Sequence, residues 1–497
     1  MSLFKRILIA NRGEIAVRVI RACRELGIEA VAVYSDADAR ALHVALADYA
    51  IRIGPPPAAE SYLSIDAVIA AAQSAGADAI HPGYGFLSEN HDFAGACAAH
   101  GRTFIGPPAR VIATMGSKVA ARELARKAGA PVVPGETPRE QSDVAIAEAA
   151  RRVGFPVLLK PSEGGGGIGM KAVRTESELA HAIPQARREA QAAFGDGTLY
   201  VERLIDSPRH VEFQILADAH GHIVHVFERE CSIQRRHQKV IEETPSPAVT
   251  PALRHRMGAA AVAVARAAGY VNAGTIEFLL AGSGDSASFY FLEMNTRLQV
   301  EHPITEQVAG IDLVAAQIRV AAGEPLPWAQ EQLTQRGHAI ELRVYAEDPA
   351  AGYLPQAGPL LLYREPAMPG VRIDSGFVEG GEVSVHYDPL LAKLIASAES
   401  RDAARRRALA ALHGFPILGI RTNVALLREI LQHPRFAAGD IDTGFLDAER
   451  DALHTRLVRS EPSPEALAVA AAASGRPGVS AASPQPDPWT TLRETRL

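Results

Sequence analysis

The sequence predicts a chain of α/β and α+β units that begins with a doubly wound parallel sheet. Short apolar runs alternate with segments of helical periodicity over residues 1–106. Between residues 210 and 295 the apolar residues instead recur at every second position, and residues 335–447 mix strand and helix signals. Strands interleaved with helices form parallel sheets covered on both faces, whereas a period of two is typical of half-buried strands.

The elements of the first sheet follow in order along the chain. Residues 6–10 (RILIA) are a short apolar strand, and the next helix places Ile15, Val19, Cys23 and Leu26 on one face. The remaining segments alternate in type, with strands at 28–36, 77–85 and 102–106 and helices at 61–76 and 93–101. Ligands of such sheets usually bind at the carboxyl ends of the strands.

The middle of the chain has a different pattern. Residues 108–130 are predicted to be helical and end in a Gly/Pro segment that is typical of a hinge. The next unit contains two helices and the strand 198–205, and four period-two strands follow at 210–216, 222–228, 274–280 and 288–295. Further strands are predicted at 339–347 and 390–399, and the Ala/Pro/Ser-rich residues after about 450 are predicted to be a linker.

The composition argues against nucleic acid as a binding partner and against a membrane-spanning helix. The 497 residues carry 51 basic and 57 acidic side chains, so there is no basic excess for binding nucleic acid. No apolar run approaches the ~20 residues of a membrane helix. The three cysteines are far apart and form no CxxC pair, which predicts reduced thiols and a cytoplasmic location.

A glycine-rich loop is the strongest local signal. Gly164, Gly165, Gly166 and Gly167 follow Lys160 between two strand-like segments. Such a run favours a hairpin turn whose bare backbone N–H groups wrap phosphate oxygens, with the lysine as a counter-charge. The alternative is a turn that is merely flexible.

Polar residues on a strand pair predict a metal site. Glu293 and Asn295 are two apart on one strand, and Glu277 lies on the preceding strand of an apparent hairpin. Carboxylate and amide oxygens on one face suit Mg²⁺, which bridges nucleotide phosphates. The alternation is predicted to continue through Arg297 and Gln299. The alternative is surface charge on an exposed strand.

A basic run at residues 228–243 contains His237 and Lys239. Taken alone, such a run is equally consistent with a solvated surface. A nucleotide site nearby would give both residues a binding role.

These motifs together resemble biotin carboxylase, the ATP-grasp component of biotin-dependent carboxylases. The resemblance covers residues 4–447 and is most specific in QRRHQK (234–239) and EMNTRLQVEHP (293–303). Further matching segments are ILIANRGEIAVRVIRA (7–22), HPGYGFLSEN (81–90), GSKVAAR (116–122), PRHVEFQ (208–214), AIELRVYAEDP (339–349), DSGFVEGGEVSVHYDPLLAKLI (374–395) and GIRTN (419–423).

The resemblance implies a role for each matching position. Glu301 is similar to the general base, and Arg343 to the arginine near the ureido oxygen of biotin. The bicarbonate pocket is implied to contain Lys239, Arg297, Gln299 and the backbone N–H of Val300. Glu277, Glu293 and Asn295 match the ligands of Mg²⁺ or Mn²⁺. The remaining positions match contacts to ATP, and these are Lys118, Lys160, the four glycines, Glu202, Ile205, His210, Gln234 and His237.

The resemblance also implies domains and partners. The expected division is an N-terminal domain at 1–114, an ATP-grasp domain at 115–330 with a mobile lid at 131–204, a C-terminal α+β domain at 331–447 and a tail at 448–497. The expected partners are a biotin carboxyl carrier protein and carboxyltransferase subunits, because the sequence has no AMKM-type biotinylation site. A homodimer is also expected.

The leading hypothesis is an acyl-CoA carboxylase subunit that carboxylates biotin on a separate carrier, with ATP and bicarbonate as substrates. Two alternatives remain open. Ile168 stands where family members usually carry Arg or Lys, which favours a urea or other non-CoA system. A non-catalytic, nucleotide-binding regulatory subunit is the other alternative.

Overall fold

The computed structural model describes residues 3–162, 169–236 and 238–459. A parallel sheet of five strands begins the chain, in the order β3-β2-β1-β4-β5. Its strands are β1 (Arg6–Ile9), β2 (Glu29–Ser35), β3 (Tyr49–Gly54), β4 (Ala79–His81) and β5 (Thr103–Phe104). The accompanying helices are α1 (Gly13–Glu25), α2 (Leu42–Leu46), α3 (Ile65–Ser74), α4 (His91–Ala99) and α5 (Ala109–Gly116).

Alternation along β1 explains why both faces of this sheet are covered. Ile7 and Ile9 pack into one apolar cluster, whereas Leu8 packs into a second cluster on the opposite face. The predicted doubly wound sheet is therefore present. The edge strand β3 was not predicted, because it is half-exposed and its residues alternate only weakly in polarity.

A small antiparallel unit follows α6 (Lys118–Lys127), whose N-cap Ser117 separates it from α5. Its elements are β6 (Gly135–Glu136), α7 (Asp143–Val153), β7 (Val157–Pro161), β8 (Lys171–Val173), α8 (Leu179–Phe194) and β9 (Leu199–Arg203), with strand order β6-β9-β7-β8. Ile146, Leu159 and Val201 share a core that belongs to this unit alone. The strands β7 and β8 pair as the predicted hairpin, and the four glycines and Ile168 lie outside the described residues.

A second, larger sheet carries the rest of the chain. Its strands are antiparallel, in the order β14-β13-β10-β11-β12-β15-β22-β20. The strands of this region are β10 (Arg209–Ala217), β11 (Ile223–Arg235), β12 (Gln238–Thr244), β13 (Asn272–Ala281), β14 (Ser288–Asn295), β15 (His338–Tyr345), β16 (Glu347–Asp348), β17 (Leu354–Pro355), β18 (Gly358–Pro359), β19 (Leu362–Tyr363), β20 (Val371–Ser375), β21 (Glu382–Val383), β22 (Leu390–Ala398) and β23 (Ile417–Leu418).

Helices cover this sheet. They are α9 (Pro251–Ala268), α10 (His302–Ala309), α11 (Leu313–Ala321), α12 (Arg401–His413), α13 (Val424–Gln432), α14 (Pro434–Ala438), α15 (Phe445–Ala448) and α16 (Arg450–Arg459). None of the helices in the described ranges is long and apolar enough to cross a membrane.

Two features of this region concern predictions made from the sequence, namely the linker after about residue 450 and the domain boundary at residue 330. The start of the predicted linker is helix α16, and Leu453 of that helix is buried in the C-terminal core. The large sheet also continues across residue 330, because β12 pairs with β15. The division of the chain at residues 114, 330 and 447 therefore stays a prediction.

Candidate active site

The site lies on the large sheet, where neighbouring strands present carboxylates on one face. Glu212 of β10 lies directly opposite Glu277 of β13, and Glu277 lies opposite Glu293 of β14. Directly opposed residues of antiparallel strands project to the same side and lie close together. Three adjacent strands therefore bring three acidic side chains close together. Nearby cations are needed to offset the repulsion between these carboxylates.

Lys239 of β12 supplies the central positive charge. Its Nζ lies 2.6 Å from Glu212, 2.9 Å from Glu277 and 2.7 Å from Glu301. Burial alone would lower the pKa of Lys239, but the three carboxylates outweigh it and raise the pKa well above its usual value. The basic run is therefore not a solvated surface at Lys239, which is buried.

Glu301 is fully buried between two cations. Its Oε1 accepts from Lys239, and its Oε2 accepts from Arg343 at 2.9 Å. Burial raises the pKa of this carboxyl, but Lys239, Arg343 and Arg229 together lower it well below its usual range. Glu301 is thus an ionised carboxylate at neutral pH. We call Lys239, Glu212, Glu277, Glu301 and Arg343 the Lys239 cluster.

Sequence reasoning missed two residues that hold this cluster in place. Arg229 of β11 is fully buried and donates to Glu212 at 2.5 Å, and Glu242 of β12 accepts from Arg343 at 2.6 Å. Glu212 was missed as well. The available signal was a charged residue within an apolar strand pattern, since such a residue is buried only when it is paired.

The predicted magnesium ligands lie at the edge of the cluster. Burial, followed by the charge of Glu277, raises the pKa of Glu293, and Lys118 offsets this only in part. Asn295 is buried, and its Nδ2 has no hydrogen-bond partner among the described residues. Two opposed carboxylates with an adjacent amide oxygen form a donor set that fits a hard divalent cation.

A second set of metal-type donors has a different explanation. His210, Glu212 and Glu277 bring ligand atoms within 4.8 Å of one another. Lys239 already contacts both of these carboxylates, and His210 Nε2 lies 3.1 Å from Glu277. The ammonium group of Lys239 therefore occupies the position that a metal ion would need.

The segment after β14 is a turn, so the predicted strand alternation through Gln299 is wrong. β14 ends at Asn295, and the following residues reach α10 without forming a strand. Arg297 still contacts the side chains of Asn295 at 3.2 Å and Gln299 at 3.3 Å, and Gln299 donates to Glu277 at 3.3 Å. The turn therefore brings together the residues that the strand pattern was expected to align.

The predicted nucleotide residues fall into two groups. Lys160 of β7 and Glu202 of β9 form an ion pair with each other on the small sheet, with Arg122 at 3.8 Å from Glu202. Among the described residues, neither has a hydrogen bond or ion pair to the Lys239 cluster. His210 and Gln234 are buried on the large sheet, Ile205 is half-buried just after β9, and His237 lies outside the described residues.

Family models match most of the chain in three consecutive parts. Residues 3–112 match the biotin carboxylase N-terminal domain, residues 117–329 match the ATP-binding domain of the carbamoyl-phosphate synthase L chain, and residues 341–448 match the biotin carboxylase C-terminal domain.

Individual proteins give the same result. The chain is 52% identical over 450 residues to the biotin carboxylase of Halalkalibacterium halodurans, covering 89% of this chain and 97% of that protein. It is 51% identical over 453 residues to a mitochondrial methylcrotonoyl-CoA carboxylase subunit alpha of Oryza sativa, covering 91% of this chain but 61% of that subunit.

Solved structures confirm the predicted fold class. The biotin carboxylase domain dimer of the Hydrogenobacter thermophilus 2-oxoglutarate carboxylase, solved with MgADP, ADP and bicarbonate, superposes with a TM-score of 0.86. It is 43% identical, and the match covers 91% of this chain and 99% of that domain. The sequence identity, the three consecutive family matches and the shared fold show that the chain belongs to the biotin carboxylase family.

Proposed function

We propose that this chain uses ATP and bicarbonate to carboxylate biotin on a separate carrier, as the biotin carboxylase subunit of an acyl-CoA carboxylase. One observation carries the proposal. Glu301 is ionised and fully buried, and it is held between Lys239 and Arg343. This arrangement provides a base and two anion-binding cations within one small volume.

In the first step, a bicarbonate oxygen attacks the γ-phosphorus of ATP and ADP leaves, which gives carboxyphosphate. The proton of bicarbonate must go to a base, and Glu301 is the buried carboxylate placed to accept it. Lys239 and Arg297 bind the anions and offset the negative charge that develops. When bicarbonate engages Lys239, this cation lowers the pKa of Glu301 less, so binding makes Glu301 a stronger base.

In the second step, carboxyphosphate separates into CO₂ and phosphate, the phosphate takes the N1′ proton of biotin, and N1′ then attacks CO₂. Arg343 stabilises the negative charge on the ureido oxygen of biotin. In this scheme the nucleotide is bound by the residues that match the ATP contacts of the family, which are Lys118, Lys160, Glu202, Ile205, His210, Gln234, His237 and the four glycines. Closure of the unit at residues 131–204 excludes water from the intermediate.

Glu277, Glu293 and Asn295 would hold Mg²⁺ or Mn²⁺. When bound there, the cation would neutralise part of the charge of the nucleotide phosphates. The opposed position of Glu277 and Glu293 supports this assignment: burial, and then the charge of Glu277, raise the pKa of Glu293, and a bound cation would offset both effects.

Glu293→Gln is expected to raise the Mg²⁺ concentration for half-maximal activity by at least about 10-fold, since the amide removes one of the two charges that bind the cation. Titration of activity with Mg²⁺ measures this shift. Without metal, the variant should unfold at the same temperature as the parent or higher, because one repulsive charge is gone. An unchanged Mg²⁺ requirement would refute the metal assignment.

The overall activity is tested by ATP hydrolysis with and without bicarbonate. ATP cleavage should require bicarbonate, and free biotin should stimulate it. Cleavage at the same rate in bicarbonate-free buffer would contradict the proposal. The absence of ATP cleavage under both conditions would instead support the non-catalytic alternative, which the contact of Glu301 with Arg343 disfavours.

The partners follow from the same proposal. The Oryza sativa relative is a subunit of methylcrotonoyl-CoA carboxylase, and the Hydrogenobacter domain crystallised as a dimer. We infer a homodimer that acts with a biotin carboxyl carrier protein and carboxyltransferase subunits. Cys23, Cys97 and Cys231 are buried and unpaired, which fits the reducing conditions of the cytoplasm.

A further inference from the structure

The turn between β14 and α10 is held from the side of the protein interior. The carbonyl oxygen of Gln299 accepts from Nδ1 of His302 at 2.9 Å, and the carbonyl oxygen of Val300 accepts from Nζ of Lys393 at 2.8 Å. His302 and Lys393 are both fully buried. Two successive carbonyl groups of the turn are therefore fixed by buried donors.

The direction of a carbonyl group also sets the direction of the next N–H group. In a trans peptide, the C=O of one residue and the N–H of the next point in opposite directions, and the peptide plane is rigid. The Gln299 carbonyl accepts from the His302 ring at 2.9 Å and, more weakly, from the His302 backbone N–H at 3.3 Å, and these bonds together fix where the Val300 N–H points. The side chains of Gln299 and Glu301 contact Glu277 and Lys239 respectively, so this turn borders the Lys239 cluster.

The protonation state of His302 suits this task. A carbonyl oxygen can only accept, so Nδ1 must carry the proton. Burial, with Lys393, Arg18 and Arg372 adding to it, lowers the pKa of His302 well below its usual value, so the ring is neutral. The neutral ring carries a single N–H, and the Gln299 carbonyl fixes it on Nδ1.

Lys393 is itself held by parts of the chain that are distant in sequence. Its Nζ lies 3.2 Å from Glu14 at the start of α1 and 3.8 Å from Asp374 of β20. On β22 it pairs in register with Arg343 of β15. The turn is thus connected through Lys393 to helix α1 and to strand β20 by its ammonium group, and to the strand that carries Arg343 by backbone pairing.

We propose that His302 and Lys393 are positioning residues that aim the Val300 N–H at the bicarbonate anion. The proposal rests on the proposed function, in which that N–H is a donor to bicarbonate. Neither residue touches the substrate. Their effect is to prevent the turn from rotating, so that the donor is oriented before the anion binds.

The test compares two substitutions of His302 that differ in the position of the donor. In asparagine, the side-chain nitrogen is as many bonds from the backbone as Nδ1, whereas in glutamine it is one bond further. His302→Gln is expected to raise KM for bicarbonate by about 10-fold, the effect of losing one hydrogen bond that fixes a donor. His302→Asn should restore KM to within about 3-fold of the parent, and KM for ATP should change little in either variant.

Arg254→Met is the matched control, because it breaks a partly buried ion pair with Glu228 without touching the turn. It should lower the melting temperature and leave KM for bicarbonate unchanged. Equal KM values for His302→Gln and His302→Asn in stable proteins would overturn the positioning role. If the parent itself shows no bicarbonate dependence, the proposed function fails first, so the two failures are distinguishable.

Lys393 provides a second, independent test if the His302 variants do not fold. Lys393→Met combined with Glu14→Gln removes the ammonium and also removes the charge that would remain unpaired. This double variant should raise KM for bicarbonate while leaving KM for ATP within about 3-fold. A rise of similar size in both KM values would indicate a general disturbance of the site and would overturn the proposal.

Discussion

Glu301→Gln is expected to lower bicarbonate-dependent ATP cleavage by about 10²–10⁴-fold, the usual contribution of a general base. The amide keeps the shape of the carboxylate but cannot accept the proton of bicarbonate. KM for ATP should remain nearly unchanged, because the predicted phosphate contacts lie elsewhere. Steady-state kinetics with ATP and bicarbonate varied separately measure both quantities.

Glu242→Gln is the matched control for this prediction. Glu242 is as buried as Glu301 and also contacts Arg343, but among the described residues it has no hydrogen bond or ion pair to Lys239. Burial, opposed by Arg343, raises the pKa of Glu242 to about 7, so this group is already partly protonated at neutral pH. Its substitution should lower turnover by less than about 10-fold. Equal losses in the two variants would show that Glu301 acts only as a partner of Arg343.

The fold was predictable where local pattern and burial agree. The short strand β1 and helix α1 follow from apolar runs and from helical periodicity, and both appear with nearly the predicted bounds. β3 was missed because an edge strand has little buried pattern to detect. The turn at residues 296–301 was read as strand, since alternation of polar and apolar residues also occurs where a turn presents side chains to a site.

The site was predictable to a lesser extent. The hairpin that opposes Glu277 and Glu293 follows from sequence spacing, because their strands are neighbours along the chain. Glu212 comes next to Glu277 only when β10 pairs with β13, and Glu242 comes next to Arg343 only when β12 pairs with β15, and pairing between strands that are distant in sequence has no local signal. Arg229 and Glu212 lie opposite each other on consecutive strands, so their pairing does have a local signal, which is the charge of Arg229 in an apolar strand.

Lys239→Met is expected to have the largest effect on stability, and it should abolish activity. The ammonium group of Lys239 forms ion pairs with three buried carboxylates. Breaking a buried ion pair by removing one partner costs about 3–5 kcal/mol in the free energy of unfolding. Urea unfolding at neutral pH measures this loss, and the bicarbonate-dependent ATPase assay measures the loss of activity.

The stability deficit of Lys239→Met should grow with pH. In the parent, Lys239 and other cations outweigh burial and lower the pKa values of Glu277 and Glu301, so both groups stabilise the fold above the unfolded-state pKa of about 4.3. Without Lys239, burial raises these pKa values above those of the unfolded chain. As pH rises, ionisation of these buried carboxylates destabilises the folded variant. The deficit of the variant in free energy of unfolding, relative to the parent, should therefore be larger at pH 8 than at pH 5.5.

A second substitution separates charge from packing at this position. Lys239→Met combined with Glu212→Gln removes one of the carboxylates that the lysine neutralised, and Arg229 can still donate to the glutamine oxygen. The double variant should therefore recover part of the lost stability at pH 8 but none of the activity, because no ammonium remains to bind the anions. Full loss of stability at both pH values, with no recovery in the double variant, would mean that Lys239 contributes through its methylene packing. The three carboxylates would then be held apart by Arg229, Arg343 and His210, and Lys239 would not be the centre of the cluster.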